Sequence, residues 1–244
     1  MQQGGKTVYG ASVGILMLET RFPRIPGDIG NAGTWPFPVH YRVVRGATPD
    51  NVVLGDPTRL VDSFVEAGRD LVAIGCDGIT TNCGFLALVQ DDLRAALGVP
   101  VATSSLMQVQ MVNATLPPGK RAGILTISAE SLTAAHLAAA GVPPDTPIGG
   151  TDGGRAFSTG ILGDAEQIDF DACRLDLLEA AADLVRAHPD LGAIVLECTN
   201  MVPYARDIRT ATGLPAFSIY SFVSWFQAGL MPRGFTPDMG DPRW

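Results

Sequence analysis

Charged residues are sparse in this sequence, and lysine is almost missing. Charged side chains make up 17% of the 244 residues, with fifteen arginines and two lysines against 25 acidic residues, for a formal net charge of -8. The positive charges are scattered, so the chain has no basic stripe that could neutralise the phosphates of a nucleic acid. We therefore expect no nucleic-acid partner.

Long apolar runs are also missing. No run reaches the ~18 apolar residues needed to span a bilayer, and Met1 to Gly10 lacks the charged region and apolar stretch of a secretory signal. Hydrophobic residues nevertheless make up 46% of the chain, enough for one large core or two lobes of about 100 residues each. We expect a globular, cytoplasmic protein that does not contact a membrane.

Cysteine and histidine are too few and too dispersed for a disulfide framework or a metal site. Four cysteines without a secretory signal predict free thiols. Three distant histidines, without C-x-x-C or H-E-x-x-H, predict no metal. The two lysines, Lys6 and Lys120, follow no strand end where pyridoxal phosphate would be held. The first strand also lacks a dinucleotide-binding glycine motif, so the sequence predicts no cofactor.

Apolar, β-branched runs alternate along the chain with longer segments of helical period. The predicted strands are Val13 to Leu18, Tyr41 to Val44, Leu71 to Cys76, Ala122 to Ile127 and Ala193 to Leu196. The predicted helices are Pro57 to Gly68, Phe85 to Leu97, Leu106 to Leu116, Ser131 to Ala140, Asp169 to His188, Val202 to Thr212 and Ser221 to Leu230. This alternation predicts an α/β fold whose largely parallel sheets are covered by helices on both faces.

The two halves of the chain repeat one pattern. A cysteine follows a predicted strand in each half, and the proline of a Gly-hydrophobic-Pro turn comes 17 residues later, in Cys83 to Pro100 and in Cys198 to Pro215. The strands aligned ahead of the cysteines are Leu71 to Gly75 and Leu191 to Val195. Each cysteine should therefore lie on the rim where open α/β sheets bind ligands.

The repeat predicts two pseudo-symmetric lobes, each a mainly parallel sheet flanked by helices, with the active site in the cleft between them. We expect residues 6–113 to form the N-terminal lobe, joined by the C-terminal segment 216–231. Residues 114–215 should form the C-terminal lobe, and residues 232–244 a tail.

Two thiols that face each other across a cleft can exchange a proton on carbon. Removing a proton beside a carboxylate or carbonyl needs a base on one face, and inverting the centre needs an acid on the other. Free cysteine titrates at about 8.5, so both of its forms are accessible near neutral pH. Cys83 and Cys198 are therefore the predicted catalytic residues of a racemase or epimerase, an isomerase.

The residues around these thiols resemble the aspartate, glutamate and hydantoin racemase superfamily. Thr80 to Gly84 matches its first-half cysteine in an Asn/Thr-containing turn, and Glu197 to Asn200 matches its second-half Cys-Thr turn. The resemblance implies cofactor-independent proton transfer on an amino acid, a related small carboxylate or a hydantoin-like compound, in a homodimer or higher homo-oligomer. The predicted substrate-binding residues are Thr81, Asn82, Gly84, Thr126, Ser128, Glu197, Thr199 and Asn200.

The second cysteine turn departs from the better-known members. They have Gly before and Glu shortly after the cysteine, whereas this chain has Glu197 before Cys198 and Asn200 after it. Three roles are open for Glu197: binding a substrate amino group, orienting the site, or making a hydrogen bond behind the substrate-contacting residues. Its negative charge would also oppose thiolate formation at Cys198. The departure puts simple aspartate or glutamate racemisation in doubt.

The Gly/Pro-rich segment from Arg21 to Pro38 allows two interpretations. Long loops of this kind are often binding loops, in which Arg24, Asp28 and Asn31 would meet the substrate. The alternative is a surface loop packed by Phe22, Trp35 and Phe37.

Other functions stay open beside the racemase. Maleate-type cis-trans isomerases of the same superfamily use a thiolate that adds to an alkene, and related decarboxylases of substituted malonates share the fold but lack the first-half cysteine. A small-molecule binding protein would share the repeat and the cleft without turnover. Cys76 and Cys173 are expected to be structural, because buried cysteine behaves as a small hydrophobic residue.

Overall fold

The computed structural model describes residues 4–235 and contains two four-stranded parallel sheets. The first sheet comprises β1 Val13–Leu18, β2 Val39–Val44, β3 Gly78–Thr81 and β4 Val101–Ala102. The second comprises β5 Arg121–Thr126, β6 Ile148–Gly150, β7 Leu191–Leu196 and β8 Ala216–Phe217. The strand orders, β2-β1-β3-β4 and β6-β5-β7-β8, are equivalent. The predicted α/β fold of two pseudo-symmetric sheets is therefore confirmed.

Helices connect the strands within each half. They are α1 Val61–Ile74, α2 Gln90–Leu97, α3 Val109–Thr115, α4 Ala134–Ala139, α5 Phe157–Leu162, α6 Phe170–Ala187, α7 Ala205–Thr212 and α8 Ile219–Leu230. Shorter helical turns are Ala32–Thr34, Asp50–Leu54, Pro57–Leu60, Gly84–Val89, Ser105–Gln108 and Thr199–Tyr204. None of the helices in residues 4–235 is both long and apolar enough to cross a membrane.

Helices cover both faces of the sheets, which explains the apolar strands. All six residues of β1 are buried, as expected for a central parallel strand. Helix α1 packs on one face of the first sheet, and Phe222 and Val223 of α8 cluster with Val13 and Ile15 on the other. The predicted segment 216–231 thus places its helix on the first sheet, whereas its first two residues form β8 of the second. The predicted tail falls largely outside the described residues.

The prediction of a strand over Leu71 to Cys76 is wrong. Helix α1 continues to Ile74 and buries one face at helical spacing through Phe64, Ala67, Gly68 and Leu71. A short run of Leu, Val, Ala and Ile does not distinguish a helix end from a strand. The strand that leads to Cys83 is β3, so β3, rather than Leu71 to Gly75, is the counterpart of β7.

The matched turns after the two cysteines are a true structural repeat. Gly98 and Gly213 end α2 and α7 in the left-handed conformation, at φ 68° and 70°. The prolines two positions later hold equivalent places, since the Pro100 carbonyl accepts a hydrogen bond from β3 and the Pro215 carbonyl accepts one from β7. The equal spacing therefore results from one helix, one turn and one edge strand that are repeated in each half.

Candidate active site

The two thiols occupy equivalent positions in the two halves. Cys83 lies two residues after β3, Cys198 lies two residues after β7, and each is the N-cap of a short 3-10 helical turn. This geometry brings the backbone amides of Phe85 and Leu86 close to the Cys83 sulfur, and the amide of Asn200 close to the Cys198 sulfur. Each thiolate would therefore be stabilised by N–H groups at a helix start.

Both thiols line one cavity. Its wall is mainly apolar, formed by Leu18, Phe22, Val53, Phe85, Ile127, Ile161 and Leu162. The polar groups on the wall are Thr20, Arg24, Asn82, Glu197 and Asn200, and Arg24 carries the only positive charge among the lining residues. A cavity wall of this character suits a small molecule with apolar groups and one or two charges.

The resting thiols are protonated. Burial raises the pKa of Cys83 well above its ordinary value, and the nearby Glu197 carboxylate raises it further, while the amides of Phe85 and Leu86 and the charge of Arg24 oppose the rise. Burial and Glu197 also raise the pKa of Cys198, where Cys83 and Asp28 add to the effect and only the Asn200 amide opposes it. Cys83 is therefore the thiol whose ionised form is better supported.

Glu197 is buried between the two thiol turns, with 1% of its surface exposed. Its amide donates to Leu125 O at 2.8 Å, and Thr126 Oγ1 donates to Glu197 Oε2 at 2.7 Å. Oε1 has no hydrogen-bond partner in the described part of the chain. Burial raises the pKa of Glu197 to about 7, against the opposing effect of Thr126 and nearby amides. A carboxyl group is thus held at the cavity wall, with Oε1 closed off from solvent and packed against Gly84.

Gly84 makes room for that carboxyl group. A Cβ atom at position 84 would overlap Glu197 Oε1 and would come within 2.7 Å of the Glu197 backbone oxygen. Any side chain here would displace Glu197 and the Cys83 turn together. The glycine is therefore required by close approach between the two halves.

The segment from Arg21 to Pro38 joins the site through a buried ion pair. Arg24 Nη1 donates to Asp28 Oδ1 at 2.8 Å, and Arg24 Nη2 donates to Thr20 Oγ1 at 3.0 Å. Asp28 also accepts from Asn200 Nδ2 at 2.6 Å, and the Asn200 Oδ1 lies 3.5 Å from the Cys198 sulfur. The loop thus supports both interpretations in part. Arg24 and Phe22 line the cavity, whereas Trp35 packs in a separate apolar cluster with Ile29.

Asn31 lies away from the cavity. Its Nδ2 donates to the Arg24 carbonyl, and its Oδ1 accepts from the Gly33 amide. It therefore shapes the loop that presents Arg24.

Replacing Asp28 by Asn should destabilise the fold. Arg24 and Asn200 would each lose an anionic acceptor in a site that is 3% exposed at Asp28, and we expect the free energy of unfolding to fall by about 2 kcal/mol. Urea unfolding followed by circular dichroism measures the change. Asp183→Asn is the control, because the Arg186–Asp183 pair is exposed and should change stability by less than ~0.5 kcal/mol. Equal effects of the two substitutions would contradict a structural role for Asp28.

Six of the ten predicted site residues line the cavity: Asn82, Cys83, Gly84, Glu197, Cys198 and Asn200. The hydroxyls of the other four have internal partners: Thr81 with Thr103 O, Thr126 with Glu197, Ser128 with Asp152, and Thr199 with Asn82 O. The structure thus gives Thr81, Thr126, Ser128 and Thr199 roles in holding the turns, and does not bring them to the cavity wall.

Several wall residues were not predicted from the sequence. Thr20 lies two residues after β1, and the rule that ligands bind at strand ends would have found it. Ile161 and Leu162 lie on α5, which is six residues long and too short for its helical period to be recognised.

Two curated proteins that are similar in sequence to most of the chain are named as lyases. It is 29% identical over 232 residues to "Dimethylsulfoniopropionate lyase" of Durusdinium sp. clade D, covering 91% of this chain and 75% of that protein. It is 31% identical over 244 residues to "Dimethylsulfoniopropionate lyase 7" of Emiliania huxleyi strain CCMP1516, covering 96% and 70%. The chain belongs to the dimethylsulfoniopropionate lyase family. No protein-family model matches it.

Solved structures place this lyase-family chain in a wider fold group. Arylmalonate decarboxylase in a sulfate-associated form matches with a TM-score of 0.59 at 15% identity, covering 93% of this chain and 97% of that one. Allantoin racemase from Pseudomonas fluorescens matches with a TM-score of 0.56 at 15% identity, covering 92% and 93%. Glutamate racemase from Bacillus anthracis matches with a TM-score of 0.57 at 14% identity, covering 91% and 81%. The fold fits the aspartate, glutamate and hydantoin racemase superfamily.

The prediction of a racemase or epimerase is wrong, and so is the isomerase class. The curated relatives are named as lyases, and the racemases match only as folds at identities near 15%. The resemblance was therefore correct for the fold and misleading for the reaction.

Proposed function

We propose that this chain is a carbon–sulfur lyase that eliminates dimethyl sulfide from dimethylsulfoniopropionate or a closely similar β-sulfonio carboxylate. The observation that carries the proposal is the similarity to dimethylsulfoniopropionate lyases over 91% and 96% of the chain. The site supports it, because two thiols and a buried carboxyl group share one small, apolar cavity. The reaction needs no group beyond the side chains on that wall.

The chemical step is a β-elimination. A thiolate takes the proton from the carbon beside the substrate carboxylate, and the C–H electron pair forms the new double bond between Cα and Cβ. The Cβ–S bond breaks, and its electron pair leaves with sulfur as neutral dimethyl sulfide. Acrylate is the second product, and the new thiol returns its proton to solvent after the products leave. Unlike racemisation, this step needs a base on only one face of the carbon.

Cys83 is the proposed base. Two amides and the charge of Arg24 favour its thiolate, whereas Cys198 has one amide and faces Asp28. Cys198 then remains a thiol on the opposite wall. A buried thiol there can donate a weak hydrogen bond to the negative charge that develops on the substrate carboxylate.

Arg24 is the proposed anchor for the substrate carboxylate. It has the only positive charge on the wall, and its pairing with Asp28 and Thr20 leaves further N–H donors on the guanidinium. The apolar side chains around the cavity then accommodate the S-methyl groups.

The test is incubation of the purified chain with dimethylsulfoniopropionate. We expect dimethyl sulfide in the headspace and acrylate in solution, measured by gas chromatography and liquid chromatography. Hydrolytic displacement would yield β-hydroxypropionate in place of acrylate, which distinguishes the two reactions. The double variant Cys83→Ser with Cys198→Ser is the control for uncatalysed breakdown. If the chain releases no dimethyl sulfide above that control, the proposed function is wrong.

A further inference from the structure

Glu197 is the one acidic side chain on a wall that is otherwise apolar or already paired. Arg24 is neutralised by Asp28 at 2.8 Å, and Asn82 Oδ1 accepts the Leu18 amide at 2.8 Å. Thr126 donates to one oxygen of Glu197, and the other, Oε1, is buried against Gly84 without a hydrogen-bond partner in the described residues. Burying an ionised carboxylate without a counter-charge raises the free energy of the site. We therefore expect such a group to bind a cation.

The negative charge of Glu197 opposes the ionisation of a thiol that the proposed reaction needs. This charge raises the pKa of both thiols, although the reaction needs a thiolate. A cation bound beside Glu197 would compensate that charge and so favour ionisation of the neighbouring thiol. The same cation would find an apolar wall for its alkyl groups in Phe85, Ile127 and Ile161.

We propose that Glu197 is the specificity residue of this site and that the charge of its carboxylate, at the cavity wall, attracts the onium cation of the substrate to the apolar wall. This inference rests on the proposed function for the identity of the substrate, a zwitterion with a carboxylate at one end and a sulfonium at the other. The site thereby selects onium carboxylates over uncharged carboxylates of the same shape. Binding of the onium group also supports the thiolate that removes the proton.

Two ligands of the same shape, one with a cationic group and one without it, separate the effect of that charge on affinity from the effect of shape. β-Trimethylammoniopropionate carries a fixed cation and has a poor leaving group, whereas γ,γ-dimethylvalerate places an uncharged tert-butyl group at the same point. We expect the native chain to bind the cationic ligand at least about tenfold more tightly, measured by titration calorimetry. In Glu197→Gln the two affinities should agree within about twofold, because the amide keeps the shape and loses the charge.

Glu179→Gln is the matched control. It removes one negative charge from an exposed position on α6 and should leave the tenfold preference unchanged. Glu197→Asp keeps the charge and should keep a preference for the cation even if both affinities fall. A preference that survives in Glu197→Gln, or that Glu179→Gln removes equally, would overturn the proposal.

The pH dependence of the native chain tests the same claim without any substitution. The pKa of Glu197 is raised to about 7 by burial, and the cation binds the ionised form. Affinity for β-trimethylammoniopropionate should therefore be constant above about pH 7.5 and should fall up to tenfold per unit below about pH 6.5. Affinity for γ,γ-dimethylvalerate should not fall over the same range.

The other titratable groups near Glu197 would not give this pH dependence of the cation affinity. Cys83 and Cys198 stay protonated through this window because their pKa values are raised. Arg24 and Asp28 form an ion pair from the neighbouring loop. His136 lies behind Phe85, and burial lowers its pKa, so it stays neutral. A cation affinity that does not change between about pH 8 and about pH 6 would contradict the role of Glu197.

The lyase assay tests the proposed function, and the binding experiment tests the role of Glu197, so a negative result in one can be told apart from a negative result in the other. If the native chain releases no dimethyl sulfide but binds the cationic ligand with the expected preference, the proposed function is wrong and the onium site stands. If dimethyl sulfide is released but the preference is missing, the lyase stands and the role of Glu197 is wrong.

Discussion

Replacing Cys83 by Ser is expected to lower the rate of dimethyl sulfide release at least about 1000-fold. A serine hydroxyl occupies nearly the same volume, but it is a far weaker acid than a thiol and supplies no anion in a buried site. The two amides that stabilise the Cys83 sulfur would remain without a charge to stabilise. Because the change acts on the chemical step, kcat should fall much more than KM rises.

Two further cysteine variants make this prediction specific. Cys198→Ser should be less damaging, about 10-fold to 100-fold, because its thiol is proposed to assist rather than to remove the proton. Cys76→Ala should stay within about twofold of the native rate, since Cys76 is buried in the core and does not line the cavity. A larger loss in Cys198→Ser than in Cys83→Ser would reverse the assignment of the base.

The variant Gly84→Ala is expected to lose both activity and stability. The new methyl group would collide with the carboxylate and backbone oxygen of Glu197, so the Cys83 turn and the end of β7 must move apart. We expect a loss of about 3 kcal/mol in the free energy of unfolding and a fall in activity of more than about 100-fold. Urea unfolding and the dimethyl sulfide assay measure the two effects.

Gly229→Ala is the control for the glycine substitution. Gly229 lies in α8, where an added Cβ meets no atom within 4 Å, so alanine there should leave stability unchanged or raise it by about 0.5 kcal/mol. Native-like stability and activity in Gly84→Ala would show that the approach of Glu197 to this backbone is not needed.

The positions of the two thiols could be predicted from the sequence because they follow from local rules. A cysteine after a strand and before a helical turn, with a Gly-hydrophobic-Pro turn 17 residues on, appears in both halves. The structure places Gly98 and Gly213 at equivalent helix ends. Spacing of this kind is set by the length of one helix and one turn, which the chain encodes directly.

Other parts of the site depend on contacts that no local pattern records. The segment from Leu71 to Cys76 has the composition of a strand. It mostly continues α1 as a helix, because α1 packs on the sheet through residues that include Leu71. The link from Arg24 through Asp28 to Asn200 joins residues far apart in the chain. The close fit of Gly84 against Glu197 joins the two halves.

The reaction could not be predicted from the thiols alone. Racemisation and β-elimination begin with the same step, removal of a proton beside a carboxylate, and both suit two thiols across a cavity. The difference lies in the group on the next carbon of the substrate, and only the side chains that receive this group carry information about it. Glu197 was the local departure that put simple aspartate or glutamate racemisation in doubt, and it is the residue to which we assign recognition of the leaving group.

The most direct test of the central claim is a proton NMR time course of the native chain with dimethylsulfoniopropionate. The account predicts that the S-methyl signal of the substrate disappears as dimethyl sulfide and the vinyl protons of acrylate appear in equal amounts and at one rate. That rate should fall at least about 1000-fold in Cys83→Ser. A substrate spectrum that stays unchanged, or dimethyl sulfide without equimolar acrylate, would contradict the assignment of this chain as a carbon–sulfur lyase.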